Sequence, residues 1–314
     1  MKKILFLFLI TLLPAKEVYK QIKILSSDKS EVFNSLHELG IHVDHAHVEK
    51  GKWVEFAIAE SELGLLEQTS LNYEIIYHDL EEFYLSRLDN NYKSRDFELG
   101  SMGGYYTFEE IEEQLDELFN NYPNLITQKE SIGQTLEGRN IWMVKISDNP
   151  NIDENEPEVL YTGLHHAREP MSYMNLFYFM NWLTENYGID SEATALIDSR
   201  ELYFIPAINP DGLVYNQEIS PNGGGMQRKN MRSTCQFGTT GVDLNRNYSY
   251  MWGYDDSGSS PDGCNETYRG TLPFSEPESQ AVKNFVEAHD FKIALNYHSY
   301  SNLLIYPLGY TYDN

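Results

Sequence analysis

An apolar run, Val159-Leu160-Tyr161-Thr162-Gly163-Leu164, stops abruptly at His165-His166-Ala167-Arg168-Glu169-Pro170. It reads as a buried strand that delivers imidazole, guanidinium and carboxylate to its carboxyl end, with Pro170 in the first turn of a following helix. His166 and Glu169 stand three apart, so an imidazole nitrogen and a carboxylate oxygen can converge on one cation at that corner. Zinc accepts both donor types and in catalytic sites keeps one position open for water. A His-x-x-Glu pair alone is common on solvated helix faces, so a catalytic reading needs a third ligand. The run Phe291-Lys292-Ile293-Ala294-Leu295-Asn296-Tyr297 ends at His298 in the same manner, which makes His298 the natural third ligand.

Around these two strand ends the pattern alternates between helix and strand. Thr107 and Glu110 form a capping box ahead of Ile111, Leu115, Leu118 and Phe119 at helical spacing, and Pro123 stops that helix. Strands are expected at 125–132 and 140–146 around a hairpin at 133–138, then at 159–164, 201–205 and 291–297. Helices are expected at 170–186, 192–198 and 275–288. This is the pattern of an α/β fold with a mixed, largely parallel sheet and helices on both faces. Ligands in such sheets gather beyond the carboxyl ends of the strands, where His166 and His298 both emerge. Asn209-Pro210-Asp211-Gly212 and Asp243-Leu244-Asn245-Arg246-Asn247 add polar groups between these elements. The first is a sound turn sequence in its own right and the second suits a solvated loop, so neither is functional by pattern alone.

Upstream, residues 19–80 read as a small α+β module, with strands at 21–25, 53–59 and 73–77 and helices at 31–39 and 61–68. Its histidines, His37, His42, His45, His47 and His78, lack carboxylates at a repeated spacing and read as surface or hairpin residues. Residues 81–104 turn polar, with Gly100, Gly103 and Gly104, and suggest an exposed linker. Met1-Lys2-Lys3 and the apolar stretch that follows to Leu13 form the n-region and h-region of a signal peptide, with cleavage near Ala15, so residues 1–15 are assigned to export. No later segment is long and apolar enough to cross a membrane. A net charge of -25 disfavours nucleic acid as a partner. Cys235 and Cys264 are the only cysteines, and an isolated pair in an exported chain is more often bonded than free.

His166-Ala167-Arg168-Glu169, Asn209-Pro210-Asp211-Gly212, Gly241-Val242-Asp243-Leu244-Asn245-Arg246-Asn247 and Asn296-Tyr297-His298-Ser299-Tyr300-Ser301 occur in one order. Together they resemble the zinc carboxypeptidases of the carboxypeptidase A/B family, over about residues 107–310, within a unit spanning 105–314. The resemblance implies one zinc ion held by His166, Glu169 and His298, with Asp243 orienting His166. It implies that Asn245 and Arg246 grip the terminal carboxylate of a substrate and that Arg168 and Tyr300 contact the substrate further along. The arginine that polarises the scissile carbonyl falls where Met231 stands by the usual spacing, and a one-residue shift assigns that role to Arg232. His165 is implied to be a bystander. The Cys235–Cys264 pair brackets residues 243–247 much as a family disulfide does. Residues 19–80 are similar in pattern to the family's propeptide.

The expectation is therefore a secreted metallocarboxypeptidase acting on peptide or protein C-termini, kept latent by its propeptide until a trypsin-like protease cuts at Arg87, Lys93 or Arg95. In the family the catalytic glutamate lies well beyond the His-Ser-Tyr stretch. The resemblance thus places the general base outside this chain and implies a fold incomplete at its C-terminus, an amino-terminal portion inactive by itself. Two other readings stay open: a zinc-dependent deacylase of N-acyl amino acids, and a non-catalytic pseudo-peptidase that binds C-terminal tails. Zinc content, and turnover of free against carboxyl-blocked peptides, separate the three.

Overall fold

Ile22 and Ile24 point into one core from strand β1 (Tyr19–Leu25), which lies inside the first of two sheets in this computed structural model. The structure describes residues 18–41, 43, 46–86, 97–236, 240–299, 303–305 and 307. The signal-peptide assignment, His42, His45, the three basic residues at 87, 93 and 95, and Tyr300 all lie outside those residues. The first sheet adds β2 (His47–Glu49), β3 (Trp53–Ala59) and β4 (Tyr73–Tyr77) in the order β2-β3-β1-β4, every pairing antiparallel. Helix α1 (Lys29–Glu38) starts where the Asp28 carboxylate accepts from Ser30 N at 2.8 Å and Glu31 N at 3.4 Å, and it buries Val32 and Leu36 against the sheet. Helix α2 (Glu60–Leu66) closes the same core through Leu66.

The segment 81–104 departs from the expected linker at both ends. It begins inside helix α3 (Leu80–Ser86), where Asp79 Oδ1 accepts from Glu82 N at 3.0 Å and Phe83 stacks on Tyr77. Leu80 is buried in the same cluster. Acidic residues on the outer face hide this short apolar stripe in a compositional reading. At the other end Gly100 pairs with Gly104, and Met102 is buried in the large core that follows.

Helix α4 (Phe108–Asn121) carries the expected capping box, with Thr107 Oγ1 accepting from Glu110 N at 3.2 Å and Glu110 Oε2 accepting from Thr107 N at 2.8 Å. The second sheet contains β5 (Glu130–Gln134), β6 (Asn140–Ile146), β7 (Glu158–Thr162), β8 (Glu201–Ile205) and β9 (Phe291–Asn296), ordered β5-β6-β8-β7-β9. Parallel pairing joins β8, β7 and β9, whereas β5 and β6 attach antiparallel, so the sheet is mixed. The strand expected at 125–132 is divided: Ile126 bridges Ile146, and β5 itself starts at Glu130. The turn at 135–139 is correspondingly later than the pattern suggested, with Thr135 N donating to Arg139 O at 2.9 Å.

Strand alternation separates two cores across this sheet. Val144, Ile146, Val159, Tyr161, Leu202 and Phe204 face α4, α5 (Met171–Asn186), α6 (Ser191–Ile197) and α7 (Pro210–Ile219). Ile141, Met143, Leu160, Tyr203 and Ile205 face α8 (Pro277–Glu287) and Leu244. Helix α8 lies so close to β5 that a Cβ on Gly133 would come within 2.6 Å of Ala281 Cβ. The two strand ends that matter, β7 and β9, are neighbours in parallel register, with Thr162 opposite Asn296. Their following residues therefore leave the sheet side by side.

Cys235 and Cys264 are joined, with Cα atoms 4.9 Å apart and a sequence separation of 29. Loop closure of this length contributes about 3 kcal/mol in the chain-entropy account. Reduction is expected to lower the denaturation midpoint accordingly. Equal urea midpoints with and without reductant would contradict this.

Candidate active site

Leu164 adopts φ 54, a left-handed backbone that costs a branched side chain of this kind about 1–3 kcal/mol. The turn it makes is held on every side. Ser172 Oγ accepts from Leu164 N at 3.0 Å, Leu164 O accepts from Asn209 N at 3.1 Å, and Arg228 O accepts from Ala167 N at 3.0 Å. The Asn209-Pro210-Asp211-Gly212 stretch, a turn by its sequence, instead begins helix α7, with Asn209 Oδ1 accepting from Gly212 N at 3.1 Å. Gly212 lies against Ala167, where a Cβ would approach Ala167 Cβ within 2.6 Å. Asp211 accepts from Thr135 Oγ1 at 2.7 Å, Glu137 N at 2.9 Å and Arg139 Nη1 at 2.8 Å. The stretch is a buttress beneath the His-x-x-Glu corner.

On that corner His166 Nδ1 lies 2.7 Å from Glu169 Oε1, and His298 Nδ1 lies 2.8 Å from Glu169 Oε2. The two Nδ1 atoms are 3.1 Å apart. Ligand atoms on a tetrahedral zinc with bonds of about 2.0–2.1 Å stand about 3.3 Å from one another, so this donor set fits the ion. His166 Nε2 is 3.2 Å from Asp243 Oδ1, which places the ring proton there and leaves Nδ1 as the donor atom. His165 is buried too but turns away, its Nε2 2.7 Å from the Tyr248 hydroxyl. Burial, then the neighbouring His298 and His166 rings, hold His165 well below the ordinary imidazole range, so it stays neutral.

Asp243 sits at the start of the short 3-10 turn Leu244–Arg246, fully buried, and both of its oxygens are engaged. Oδ1 accepts from Asn245 N at 3.0 Å, and Oδ2 accepts from Arg228 Nε at 3.2 Å and Nη2 at 2.8 Å. Burial alone would raise this carboxyl, but Arg228 and then Arg246 hold it well below the usual carboxylate range. Arg228 also approaches Glu169, Nη1 to Oε1 3.9 Å, so a single guanidinium spans the oriented histidine's partner and a ligand carboxylate. Arg232, the residue the one-residue shift selected, does not reach this centre. Its Nε donates to Glu276 Oε2 at 2.6 Å, and its side chain is 39% exposed. The arginine at the centre is Arg228, three residues ahead of Met231. Flanked by Gln227 and Lys229, it looks by composition like a surface residue, and only its burial distinguishes it.

Asn245 and Arg246 follow Asp243 on the same turn and are partly exposed, with Arg246 Nε donating to Gly258 O at 2.6 Å. Asn247, beside them, anchors the turn by donating from Nδ2 to Arg269 O at 2.8 Å and accepting at Oδ1 from Ser279 Oγ at 2.6 Å. Arg168, Glu169 and Ser299 line a cavity of about 290 Å³, whose other wall comes from the N-terminal module through Tyr19, Leu80 and Tyr84. Met226 packs among the module's apolar residues, and Ser220 Oγ donates to Glu81 Oε1 at 2.8 Å. The module and the metal corner thus line one cavity.

Residues 111–314 match the family model for zinc carboxypeptidases. The chain belongs to the zinc carboxypeptidase family. Mouse carboxypeptidase A1 is 34% identical to it over 266 residues, which is 82% of this chain and 60% of that protein. The zinc carboxypeptidase of Saccharothrix mutabilis subsp. capreolus is 36% identical over 227 residues, 70% of this chain and 50% of that protein. The crystal structure of carboxypeptidase A from Helicoverpa armigera superposes with a TM-score of 0.73, covering 92% of this chain and 71% of that one at 24% identity, a likeness of fold. The chain spans about half to three fifths of the length of these curated relatives. Zinc is the metal this family implies, and the donor atoms of His166, Glu169 and His298 are the set of histidine and carboxylate ligands that suits it.

Proposed function

We propose that this chain belongs to an exported zinc metallocarboxypeptidase that removes single amino acids from peptide C-termini. The observation that carries the reading is the convergence of His166 Nδ1, Glu169 and His298 Nδ1 beside the Arg228–Asp243 pair. Zinc, when bound there, would acidify a water and polarise the scissile carbonyl. Asp243 holds the His166 tautomer that donates. Arg228 stands next to Glu169 with a guanidinium suited to a carbonyl oxygen that gains negative charge, and it replaces Arg232 in that role. Asn245 and Arg246, on the turn that Asp243 starts, are the proposed grip on the terminal carboxylate, for which a planar guanidinium fork is well shaped. The family resemblance assigns the proton-transferring glutamate to none of these residues, and the three ligands are proposed to hold zinc.

The test measures bound metal by elemental analysis and release of a free terminal amino acid from peptides with free and amidated C-termini, with a His166→Ala control. Zinc-dependent release from free C-termini alone supports the reading. Release of an acyl group from N-acyl amino acids instead would establish a deacylase, and tight tail binding with zinc but no turnover would establish a pseudo-peptidase.

The N-terminal module is proposed to act as a latency device, because Tyr19, Leu80 and Tyr84 form a wall of the cavity that contains Glu169. Cutting the chain between residues 87 and 96, where a trypsin-like protease would find Arg87, Lys93 and Arg95, is expected to raise peptidase activity at least tenfold. Equal rates before and after the cut, with the module shown to have left, would remove the inhibitory role.

A further inference from the structure

Tyr19, the first residue of β1, projects away from its own module's main core and is almost completely buried against the other unit. Its hydroxyl donates to Glu266 Oε1 at 2.8 Å, and its ring lies under the Arg168 guanidinium, 5.3 Å from Cζ to ring centre. Glu266 Oε2 in turn faces Arg168 Nη1 at 3.5 Å. Glu266 follows the disulfide residue Cys264, and its loop is tied down by Lys229 Nζ, which donates to Asn265 O at 2.6 Å. Glu266 therefore presents its carboxylate from an anchored wall. Burial and then Glu266 keep the Tyr19 phenol protonated, so it acts as a donor. The same cavity includes Ser299 and the ligand Glu169, and Arg168 is the immediate chain neighbour of that ligand.

From this arrangement we propose that Arg168 and Glu266 form a subsite for a tyrosine side chain on the amino-terminal side of the cleaved bond, and that Tyr19 occupies it as a built-in mimic of substrate. The proposal rests on the peptidase reading for the identity of the occupant. Its chemistry is carried by the residues themselves. The guanidinium face accepts an aromatic ring, and the carboxylate beneath it accepts a hydrogen bond that phenylalanine cannot make. A hydrogen bond to a charged acceptor of this kind separates tyrosine from phenylalanine by about tenfold.

The experiment places a specific protease site between residues 87 and 96 of the chain, nicks it, and follows dissociation of the N-terminal fragment from the rest. Tyr19→Phe and Glu266→Leu are each expected to speed dissociation about tenfold, and the double variant to add little, since both delete one bond. Short peptides carrying tyrosine should displace the fragment at about a tenth of the concentration needed for their phenylalanine counterparts, and Glu266→Leu should make the two equal. Equal displacement by tyrosine and phenylalanine peptides from the unsubstituted protein would overturn the subsite, as would additive effects of the two substitutions. Because the readout is displacement, it reports on the subsite even if the protein shows no peptidase activity, so the two failures are told apart.

Discussion

Zinc affinity is expected to fall by at least about 100-fold when His166 is replaced by alanine, and by about 10- to 100-fold when Asp243 is replaced by asparagine. The first figure follows from dividing the roughly 10–16 kcal/mol of a four-ligand zinc site among its ligands, about 3 kcal/mol each. The second is the usual effect of disturbing the group that orients a ligating histidine. In this protein Asp243 Oδ1 lies 3.2 Å from His166 Nε2, and its other oxygen is tied to Arg228, so asparagine keeps the shape but loses the charge that holds the tautomer. Competition against a chromophoric chelator resolves both effects. His298→Ala and Glu169→Gln should behave like His166→Ala, whereas His165→Ala should leave affinity within about threefold, because that ring faces Tyr248 instead. Retained affinity in His166→Ala, or a His165→Ala loss as large, would show that the ligand set is wrong.

The second large effect separates two arginines. Arg228→Ala is expected to destabilise the fold by about 3–5 kcal/mol, because it strips the partner from a fully buried carboxylate. Zinc affinity should fall with it, as Asp243 loses its fixed orientation. Arg232→Ala should cost far less and leave zinc affinity unchanged: its guanidinium is partly exposed, and Glu276 keeps Asn230 Nδ2 at 2.8 Å and Ser275 Oγ at 2.8 Å as donors. Urea unfolding alongside metal titration measures both. Equal effects of the two substitutions on zinc would return Arg232 to the centre. In an active form, loss of Arg228 is further expected to lower kcat by about 100- to 1000-fold, the scale of removing one group that stabilises an oxyanion.

Much of this was legible before any coordinates. A metal restricts its ligands to few residue types, and strands hand those residues over at their carboxyl ends, so apolar runs that break off at histidine identify both β7 and β9 and the proposed ligands beyond them. Capping at Thr107 and the helix that follows are local, decided by hydrogen bonds within four residues. Short elements were less readable. Helix α3 hides a short buried stripe behind acidic residues, and α7 starts with a sequence equally good as a turn, because Asn209 accepts the same backbone donor in either. The choice falls to the packing of Leu213 and Val214 into the large core.

The family to which the chain belongs, the proposed His166, Glu169 and His298 ligand set and the proposed orienting Asp243 were all readable along the chain, since each depends on residue type and order. Only the fold separates the two candidate arginines, and the proposal of Arg228 for the centre rests on it. Arg228 and Arg232 are separated by four residues and are chemically identical, and what distinguishes them is burial: one lies in the protein interior facing Asp243, the other is partly exposed and pairs with Glu276. Tyr19 depended on the fold in the same way. Nothing local marks it among the tyrosines, and its place against Arg168 and Glu266 arises from docking between two modules, at a sequence separation of 247 between the hydroxyl and the carboxylate it meets. Contacts over such separations are set by the packing of whole surfaces, which no pattern of neighbouring residues encodes.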